Sequence, residues 1–416
     1  GPLIDIVGWR LDDVVELIRG PKDSTVRLEV IHSEYDVEIT KIISIVRNTV
    51  RLEEQAAKAK LLEINDGQDS HLIGVLDIPT FYIDFQGKQS GDPDYKSTTR
   101  DVKKLIQRLR EKQVEAIVVD LRGNGGGSLE EARSLTGLFI DKGPMVQVKS
   151  ARRRTSVLAD QDNRVYWDGP LVVMVNRLSA SASEIFAGAM QDYGRALIIG
   201  NQTFGKGTVQ TLVPLNRGQL KLTAAKFYRV SGESTQHQGV IPDISFPELY
   251  DNSKIGESSH EDAMPWDTIR PANYQLYANI DPFLSTIRGE HESRIKNNPD
   301  FLYFQAIADR NKLFATRTHI SLNEQERRKE KFQDDQWRLS IENQLRKSKG
   351  KQLASNLDEL EELEKQESEK EKEKKKEDKL SSENELDIIE DDALIKEAGF
   401  IALDLITAAS PIASAN

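Results

Sequence analysis

The sequence predicts a layered α/β domain, placed between a small, mostly β module and a helical C-terminal region. Apolar, strand-like runs alternate with amphipathic helices across residues 71–245. Such alternation is typical of a sheet covered by helices. The 416 residues are also too many for one core, because single cores rarely grow beyond about 250 residues. We therefore expect two or three domains.

The module of residues 1–48 reads as a strand, a helix and further strands. A strand-like run at residues 3–7 comes first, and residues 11–19 then carry apolar side chains at helical spacing. Residues 26–30 alternate with a period of two, and residues 35–46 offer further strands. We interpret this piece as a small β module that lacks its beginning.

Changes in composition set the expected boundaries. Residues 49–70 are polar and are predicted to link the first module to the α/β domain of residues 71–248, although the pattern at 51–58 leaves a short helix or a strand end open. Residues 249–416 are expected to form a helical domain. Within it, residues 358–379 are almost purely charged and are predicted to be a solvated helix or a disordered linker, because nothing there offsets the entropy of ordering.

Individual elements follow from the same patterns. In the α/β domain, strands are predicted at residues 72–79, 116–121, 171–175 and 196–200, with further β segments from 209 to 230. Helices are predicted around Val102, Leu105, Ile106 and Leu109, which share one face, and at residues 129–139 and 182–193. In the C-terminal region, helices are expected at residues 301–316, 323–345 and 391–407.

Composition excludes several classes of protein. The formal net charge of −11 argues against nucleic acid or an anionic membrane as the main partner, because both attract clustered Lys and Arg. There is no cysteine, and the six histidines lack the spacing of a metal site, so we expect neither metal nor cofactor. No apolar run reaches the roughly 18 residues that span a bilayer.

Three serines, Ser179, Ser181 and Ser183, lie directly after an apolar strand and before a helix. A junction of this kind offers free backbone amides and a helix dipole to stabilise an oxyanion, which suits a nucleophile. The pattern from Ser181 to Glu184 is also S-x-x-E, a capping box that needs no catalysis. The segment alone leaves both interpretations open.

A nucleophilic serine needs a base, and no histidine lies in this stretch. Lys206 follows the strand predicted at 196–200, and neighbouring strands of an α/β sheet end at the same edge. A lysine accepts a proton only when neutral, a form that burial among apolar groups favours. If residues 206–210 are extended, Gln210 shares a face with Lys206 and is available to orient its amine. A plain surface lysine is the alternative.

Two glycine-rich stretches have other interpretations. Residues 200–206 match the first part of a phosphate-binding loop, but Gly207 stands where a Ser or Thr binds magnesium, and a strand follows where a helix is required. Nucleotide binding is therefore not expected. The loop of residues 123–127 is either a tight turn or a source of a backbone amide for an oxyanion.

Four motifs, taken in order, resemble those of the C-terminal-processing proteases, a family that includes the bacterial tail-specific proteases. They are Asp120-Leu-Arg-Gly-Asn-Gly-Gly-Gly127, Ser179-Ala-Ser-Ala-Ser-Glu184, Phe204-Gly-Lys-Gly-Thr-Val-Gln210 and Gly239-Val-Ile-Pro-Asp243. The resemblance covers nearly all of residues 3–340. It implies a crotonase-like α/β core with an inserted PDZ module. It also implies a serine endopeptidase that selects proteins by apolar C-terminal tails and works through an acyl-enzyme.

The resemblance also implies roles for individual residues. Ser181 is the implied nucleophile, Lys206 the general base and Gln210 the residue that orients the base. The remaining implied residues are Gly127 and Ala182, whose amides form the oxyanion hole, and Asp192, which matches an acidic position associated with activity.

The module of residues 1–48 is similar to the second half of a PDZ domain, without the loop that grips a carboxylate. PDZ domains capture a C-terminus by adding it as a strand to a sheet edge. The resemblance further implies a periplasmic location, peripheral to the inner membrane. The implied partners are protein substrates with apolar C-termini and a helical-repeat lipoprotein adaptor.

Two alternatives use the same core. One is a catalytically silent scaffold that binds a peptide or ligand, and the other is an enoyl-thioester enzyme. The presence of both Ser181 and Lys206 favours the peptidase, because the pair would be idle in either alternative.

Overall fold

The computed structural model describes residues 3–9, 11–31, 40–48, 55–67, 69–150, 154–160, 162, 164–381, 386–389 and 391–409. The chain forms two units, residues 1–55 and 56–416. Two predictions fall partly outside the described residues: the strands expected at 35–46 and the pattern at 51–58.

Strands and helices alternate through the α/β region as predicted. The strands are β1 (Thr25–Ile31), β2 (Thr40–Val46), β3 (Lys58–Asn65), β4 (Ser70–Asp77), β5 (Ala116–Asp120), β6 (Pro144–Lys149), β7 (Ser156–Ala159), β8 (Leu171–Val175), β9 (Leu197–Gly200), β10 (Thr208–Pro214), β11 (Gln219–Tyr228) and β12 (Ile244–Ser245). The helices are α1 (Leu11–Ile18), α2 (Phe85–Ser90), α3 (Thr98–Glu111), α4 (Leu129–Thr136), α5 (Ala182–Asp192), α6 (Asp281–Ile295), α7 (Pro299–Ala315), α8 (Glu324–Ser348), α9 (Leu357–Ser381) and α10 (Ala393–Ala409).

The first unit holds α1 and the antiparallel pair of β1 and β2. The Arg47 side chain, which follows β2, donates from Nε to the Ile18 carbonyl at 2.7 Å and so satisfies the end of α1. The strand predicted at residues 3–7 is not formed. A strand needs a neighbour for its backbone groups, and β1 and β2 pair only with each other in the described residues.

A six-stranded sheet with the order β12-β9-β8-β5-β4-β3 forms the centre of the second unit. All neighbouring strands are parallel except β3, which is antiparallel to β4. The prediction that residues 49–70 form a linker is wrong in part, because residues 58–65 are β3. The stretch reads as polar because β3 is an edge strand that alternates Lys and Glu with its buried residues Leu62 and Ile64.

Helices cover both faces of this sheet, which explains why β5 and β8 are buried along their whole length and are apolar except for Asp120 at the end of β5. Alternate side chains of each strand point to opposite faces. On one face, Ile117 and Val119 pack with residues of α3, α4 and α5. On the other, Ala116 and Val118 pack with residues of α6, α7 and α10. The C-terminal helices therefore complete the core of the α/β domain.

A second, antiparallel sheet has the order β10-β11-β6-β7. It lies in the middle of the chain and β10 begins just after Lys206. The helices predicted at 301–316, 323–345 and 391–407 are confirmed as α7, α8 and α10. The charged stretch 358–379 lies within α9, where Glu367 pairs with Arg346 and Lys351.

No helix in the described ranges is long and apolar enough to cross a membrane. Among those same residues, no group of three or more Asp, Glu or His side chains is placed to hold a metal ion.

Candidate active site

Three of the four sequence motifs meet at one edge of the six-stranded sheet. The glycine loop 123–127 follows β5, the serine segment 179–183 follows β8, and the loop carrying Lys206 follows β9. These strands are parallel neighbours in the order β9-β8-β5, so their carboxyl ends lie side by side. This edge is where α/β sheets place their functional groups.

The three serines differ in what their hydroxyls do. Ser179 is fully buried and donates from Oγ to the Leu121 carbonyl at 2.8 Å. Ser183 is also fully buried and donates to the Asn124 carbonyl at 2.9 Å. The middle hydroxyl, of the half-buried Ser181, donates to no acceptor in the described parts of the chain. The outer serines therefore fix the loops together, and the middle one keeps a free proton.

Ser181 has a strained backbone at the start of α5. Its φ is 57° and its ψ is −109°, in a region that residues with a side chain rarely adopt. Ser181 and Glu184 also form the capping box that the sequence allowed, with the Ser181 amide donating to Glu184 Oε2 at 2.7 Å. Capping and a half-buried position at a strand-to-helix junction therefore occur together, and neither excludes the other.

The glycine loop lies directly against Ser181. A Cβ atom on Gly126 would come within 2.8 Å of both the Ala180 carbonyl oxygen and the Ser181 Cβ, and its φ is +103°. Fully buried Asn124 holds the loop, because its carbonyl accepts from the Ala180 amide and its side chain from the Gly126 amide, each at 2.9 Å. Only a residue without a side chain fits at position 126.

The two backbone amides implied as an oxyanion hole, of Gly127 and Ala182, have no hydrogen-bond acceptor among the described residues. Gly127 is exposed and Ala182 is the first residue of α5, where the helix offers its amide no partner. A Cβ on Gly126, the neighbour of Gly127, would lie 3.1 Å from the Ala182 nitrogen. Two free amide donors are what a developing oxyanion requires.

Glu184 connects the serine segment to the loop of Lys206. The carboxylate is completely buried and accepts four hydrogen bonds. The donors are the Ser181 amide at 2.7 Å, the Thr203 hydroxyl at 2.6 Å, the Gly205 amide at 2.7 Å and the Lys206 amide at 2.9 Å. Burial raises the pKa of Glu184 to about 7, even though the four donors act to lower it. The group therefore titrates near neutral pH.

The fourth motif supports the same network. The Val240 amide donates to the Thr203 hydroxyl at 2.7 Å, and a Cβ on Gly239 would lie 2.4 Å from that oxygen. Asp243 accepts the Ile198 amide on β9 at 2.8 Å and the Gln191 side chain at 2.8 Å. This motif thus positions Thr203, which in turn holds Glu184.

Lys206 and Gln210 are close in sequence but are not joined. Lys206 is half-buried and Gln210 is exposed. A register shift between Val209 and Gln210 interrupts the pairing of β10 with β11. Within the part of the chain that the structure describes, no hydrogen bond links Lys206 Nζ to the Ser181 hydroxyl or to the Gln210 side chain. The loops are therefore adjacent, whereas the Ser181 hydroxyl and the Lys206 amine are not in hydrogen-bond contact.

Asp192 lies at the opposite end of α5 from Ser181. Eleven residues at a rise of 1.5 Å place the two about 16 Å apart along the helix. The buried carboxylate forms an ion pair with Arg229 and accepts the Ser231 amide at 3.2 Å. These contacts attach α5 to the segment after β11, so Asp192 acts on the architecture around the site.

Sequence reasoning treated Glu184 only as a capping residue and did not single out Asn124, Thr203 or Arg177. The capping pattern was a usable signal for Glu184, but its contacts with residues 203–206 depend on the fold. Arg177 is 2% exposed and, within the residues that the structure describes, donates to three carbonyls and one hydroxyl. Burial lowers its pKa.

Comparison with known proteins gives two family matches. Residues 72–246 match the model of peptidase family S41. Residues 250–407 match the C-terminal domain of tail-specific protease. The first match includes the three motif loops and the strands β5, β8 and β9 that carry them, and the second includes α6 and α7, which pack on the second face of the sheet.

Individual relatives agree with these matches. The chain is 43% identical to the tail-specific protease of Haemophilus influenzae over 373 residues, which is 86% of this chain and 51% of that protein. It is 35% identical to the carboxy-terminal-processing protease of Bartonella bacilliformis over 261 residues, or 61% of this chain and 55% of that one. Among solved structures, the photosystem II D1 C-terminal processing protease matches with 28% identity and a TM-score of 0.43, covering 59% of this chain and 61% of that chain. The chain spans about half the length of these two relatives.

Proposed function

Because this chain belongs to peptidase family S41, we propose that it is a serine endopeptidase in which Ser181 is the nucleophile and Lys206 is the general base. The observation that carries the proposal is the difference between the three serine hydroxyls. Ser179 donates to the Leu121 carbonyl just before the glycine loop and Ser183 to the Asn124 carbonyl within it, so of these three serines only Ser181 keeps its proton available. Neither relative supports a silent scaffold, since both are named as proteases.

In this mechanism, neutral Lys206 Nζ takes the proton of Ser181 as Oγ attacks the scissile carbonyl carbon. The amides of Gly127 and Ala182 donate to the oxyanion that forms. The tetrahedral intermediate then collapses, the C–N bond breaks, and Lys206 gives its proton to the leaving amine. Water, deprotonated by Lys206, hydrolyses the acyl-enzyme and restores Ser181. When substrate binds, β10 brings the Gln210 side chain to the Lys206 amine and orients it. Catalytic hydrogen bonds often tighten only in the substrate complex.

The finer parts of the proposal rest on the family resemblance. The core is of the crotonase-like type, and residues 1–48 are the second half of a PDZ module that presents substrate C-termini. Substrates are proteins with apolar C-terminal tails, the location is the periplasm, peripheral to the inner membrane, and a helical-repeat lipoprotein is the adaptor. Asp192 supports activity through its ion pair with Arg229.

The test is cleavage of an unfolded reporter protein that ends in Ala-Ala, compared with the same reporter ending in two aspartates. The wild-type chain is expected to cleave the first faster, and Ser181→Ala and Lys206→Ala to abolish cleavage while remaining folded. Cleavage that persists in both variants would eliminate the proposed dyad. Equal rates on both reporters would eliminate selection by an apolar tail.

A further inference from the structure

Three consecutive backbone amides around Lys206 are held by buried side chains. Gly205 and Lys206 donate to the two oxygens of Glu184, at 2.7 and 2.9 Å. The next amide, of Gly207, donates to Oε1 of Gln236 at 2.9 Å. Gln236 is 0% exposed, so water cannot replace this acceptor. A Cβ on Gly207 would lie 2.8 Å from the Gln236 amide nitrogen, which shows how closely the two segments pack.

Gln236 is itself fixed by the segment of residues 252–258. Its Nε2 donates to Oε1 of Glu257 at 3.1 Å. The Glu257 backbone amide also donates to the Phe204 carbonyl at 2.9 Å, two residues before Lys206. Glu257 therefore holds the loop of Lys206 from both sides, once directly and once through Gln236. This segment belongs to the region that matches the C-terminal domain, residues 250–407.

The same segment also holds the serine loop. Buried Arg177, four residues before Ser181, donates from Nε to the Ile255 carbonyl at 2.6 Å. Its Nη2 donates to the Asn252 carbonyl and the Ser258 hydroxyl, each at 3.3 Å, and its Nη1 to the Thr203 carbonyl at 2.6 Å. A Cβ on Gly256 would lie 2.1 Å from Nη2, so the backbone fits closely around the guanidinium.

We propose that Gln236 and Glu257 are positioning residues for Lys206, and that residues 252–258 are thereby a required part of the active site. The inference rests on the proposed function, because it assigns the pair to aiming the general base. An amide suits position 236, since it accepts the Gly207 amide without a charge. A carboxylate there would favour the protonated form of a neighbouring lysine, which cannot act as a base.

The test compares three single variants, one double variant and a matched control of the whole chain on the reporter that ends in Ala-Ala. Gln236→Met keeps the side-chain volume but removes the acceptor, and is expected to lower kcat by about 10- to 100-fold with KM changed less than about twofold, because misplacing a reacting group slows chemistry more than binding. Glu257→Ala is expected to lower kcat in the same direction. Glu257→Gln keeps an oxygen that accepts from Gln236 and is expected to restore most of the activity lost in Glu257→Ala.

The double variant Gln236→Met with Glu257→Ala is expected to be about as active as Gln236→Met alone, because the Glu257 side chain acts through Gln236 and its backbone amide is kept in every variant. Additive losses would overturn the inference, as would unchanged kcat in folded Gln236→Met. The matched control is Gln305→Met on α7, whose Nε2 donates to Asp309 at 2.9 Å, far along the chain from Lys206. It removes the same kind of amide-to-carboxylate bond, and its kcat is expected to equal that of the wild type.

Amide hydrogen exchange supplies a readout that does not depend on proteolysis. Exchange at residues 205–207 is expected to rise in Gln236→Met and in Glu257→Ala, and to stay at the wild-type rate in Glu257→Gln and Gln305→Met. Unchanged exchange in Gln236→Met would overturn the positioning role even in an active protease. The expected exchange pattern in a chain that cleaves no reporter would instead support the positioning role and count against the proposed function.

Discussion

The backbone amides of Ser181 and Lys206 both donate hydrogen bonds to the same carboxylate oxygen, Oε2 of Glu184, at 2.7 and 2.9 Å. The oxygen is completely buried, so water does not compete for it. One atom therefore sets the position of the Ser181 backbone, which carries the proposed nucleophile, relative to that of Lys206, the proposed base. The side chains remain free to adjust when a substrate arrives.

Glu184→Ala is expected to lower kcat/KM by about 100-fold or more, because a shift of about 1 Å in either reacting group costs that much. The change also leaves the amides of Ser181 and Lys206 buried without an acceptor. Activity on the Ala-Ala reporter and thermal unfolding measure the two effects. The matched control is Glu397→Ala on α10, whose buried carboxylate binds His291 and Arg294 away from the motif loops. If the two variants lose equal activity, Glu184 has no special role in the site.

The raised pKa of Glu184 has a consequence for stability. Its pKa rises from 4.5 to about 7 in the folded state, so the folded chain holds a proton between these values that the unfolded chain releases. The free energy of unfolding therefore falls as pH rises from about 4.5 to 7, by roughly 3 kcal/mol from this group at about 1.4 kcal/mol per pKa unit. Glu184→Gln lacks this contribution. Chemical unfolding at pH 5, 6 and 7 should show a shallower decline for the variant, and parallel curves would contradict the assignment.

Gly126→Ala is expected to abolish most activity. Its Cβ would lie 2.8 Å from both the Ala180 carbonyl oxygen and the Ser181 Cβ, at a φ of +103° that favours glycine. The glycine loop must then move away from Ser181 and take the Gly127 amide with it. Gly125→Ala adds the same methyl group where nothing lies within 4 Å and is expected to lose far less. Comparable losses in kcat for the two variants would show that the close approach at Gly126 is not what matters.

Asp192→Asn is expected to destabilise the fold more than it impairs the chemistry. Breaking the buried ion pair leaves the Arg229 guanidinium without its carboxylate, at a cost of about 3–5 kcal/mol. The carboxylate lies about 16 Å from Ser181 along α5. Activity per folded molecule, measured by active-site titration at low temperature, should stay within about tenfold of the wild type if only folding is affected. A variant that is fully folded and inactive would place Asp192 in the chemistry instead.

Much of the α/β fold was predictable because parallel strands buried on both faces leave continuous apolar runs, as in residues 116–119 and 171–175. The run at 3–7 shows the limit of that signal, since an apolar segment forms a strand only where a partner strand exists. Strand β3 was missed for the opposite reason, because Lys58, Lys60 and Glu63 interrupt its apolar pattern although both of its faces carry buried residues. Pairing, and not composition, decided both cases.

The sequence by itself determined which loops come together, because motifs that follow neighbouring parallel strands meet at one sheet edge. It also supplied the candidates Ser181 and Lys206, because the motifs that contain them occur in the same order as in the C-terminal-processing proteases. Only the tertiary structure decided which groups hold them: Glu184, Gln236 and Glu257 reach the loop of Lys206 from 22 residues before it and from 30 and 51 residues after it. A buried hydrogen bond depends on the meeting of distant backbone atoms, and no local pattern in the chain records that meeting.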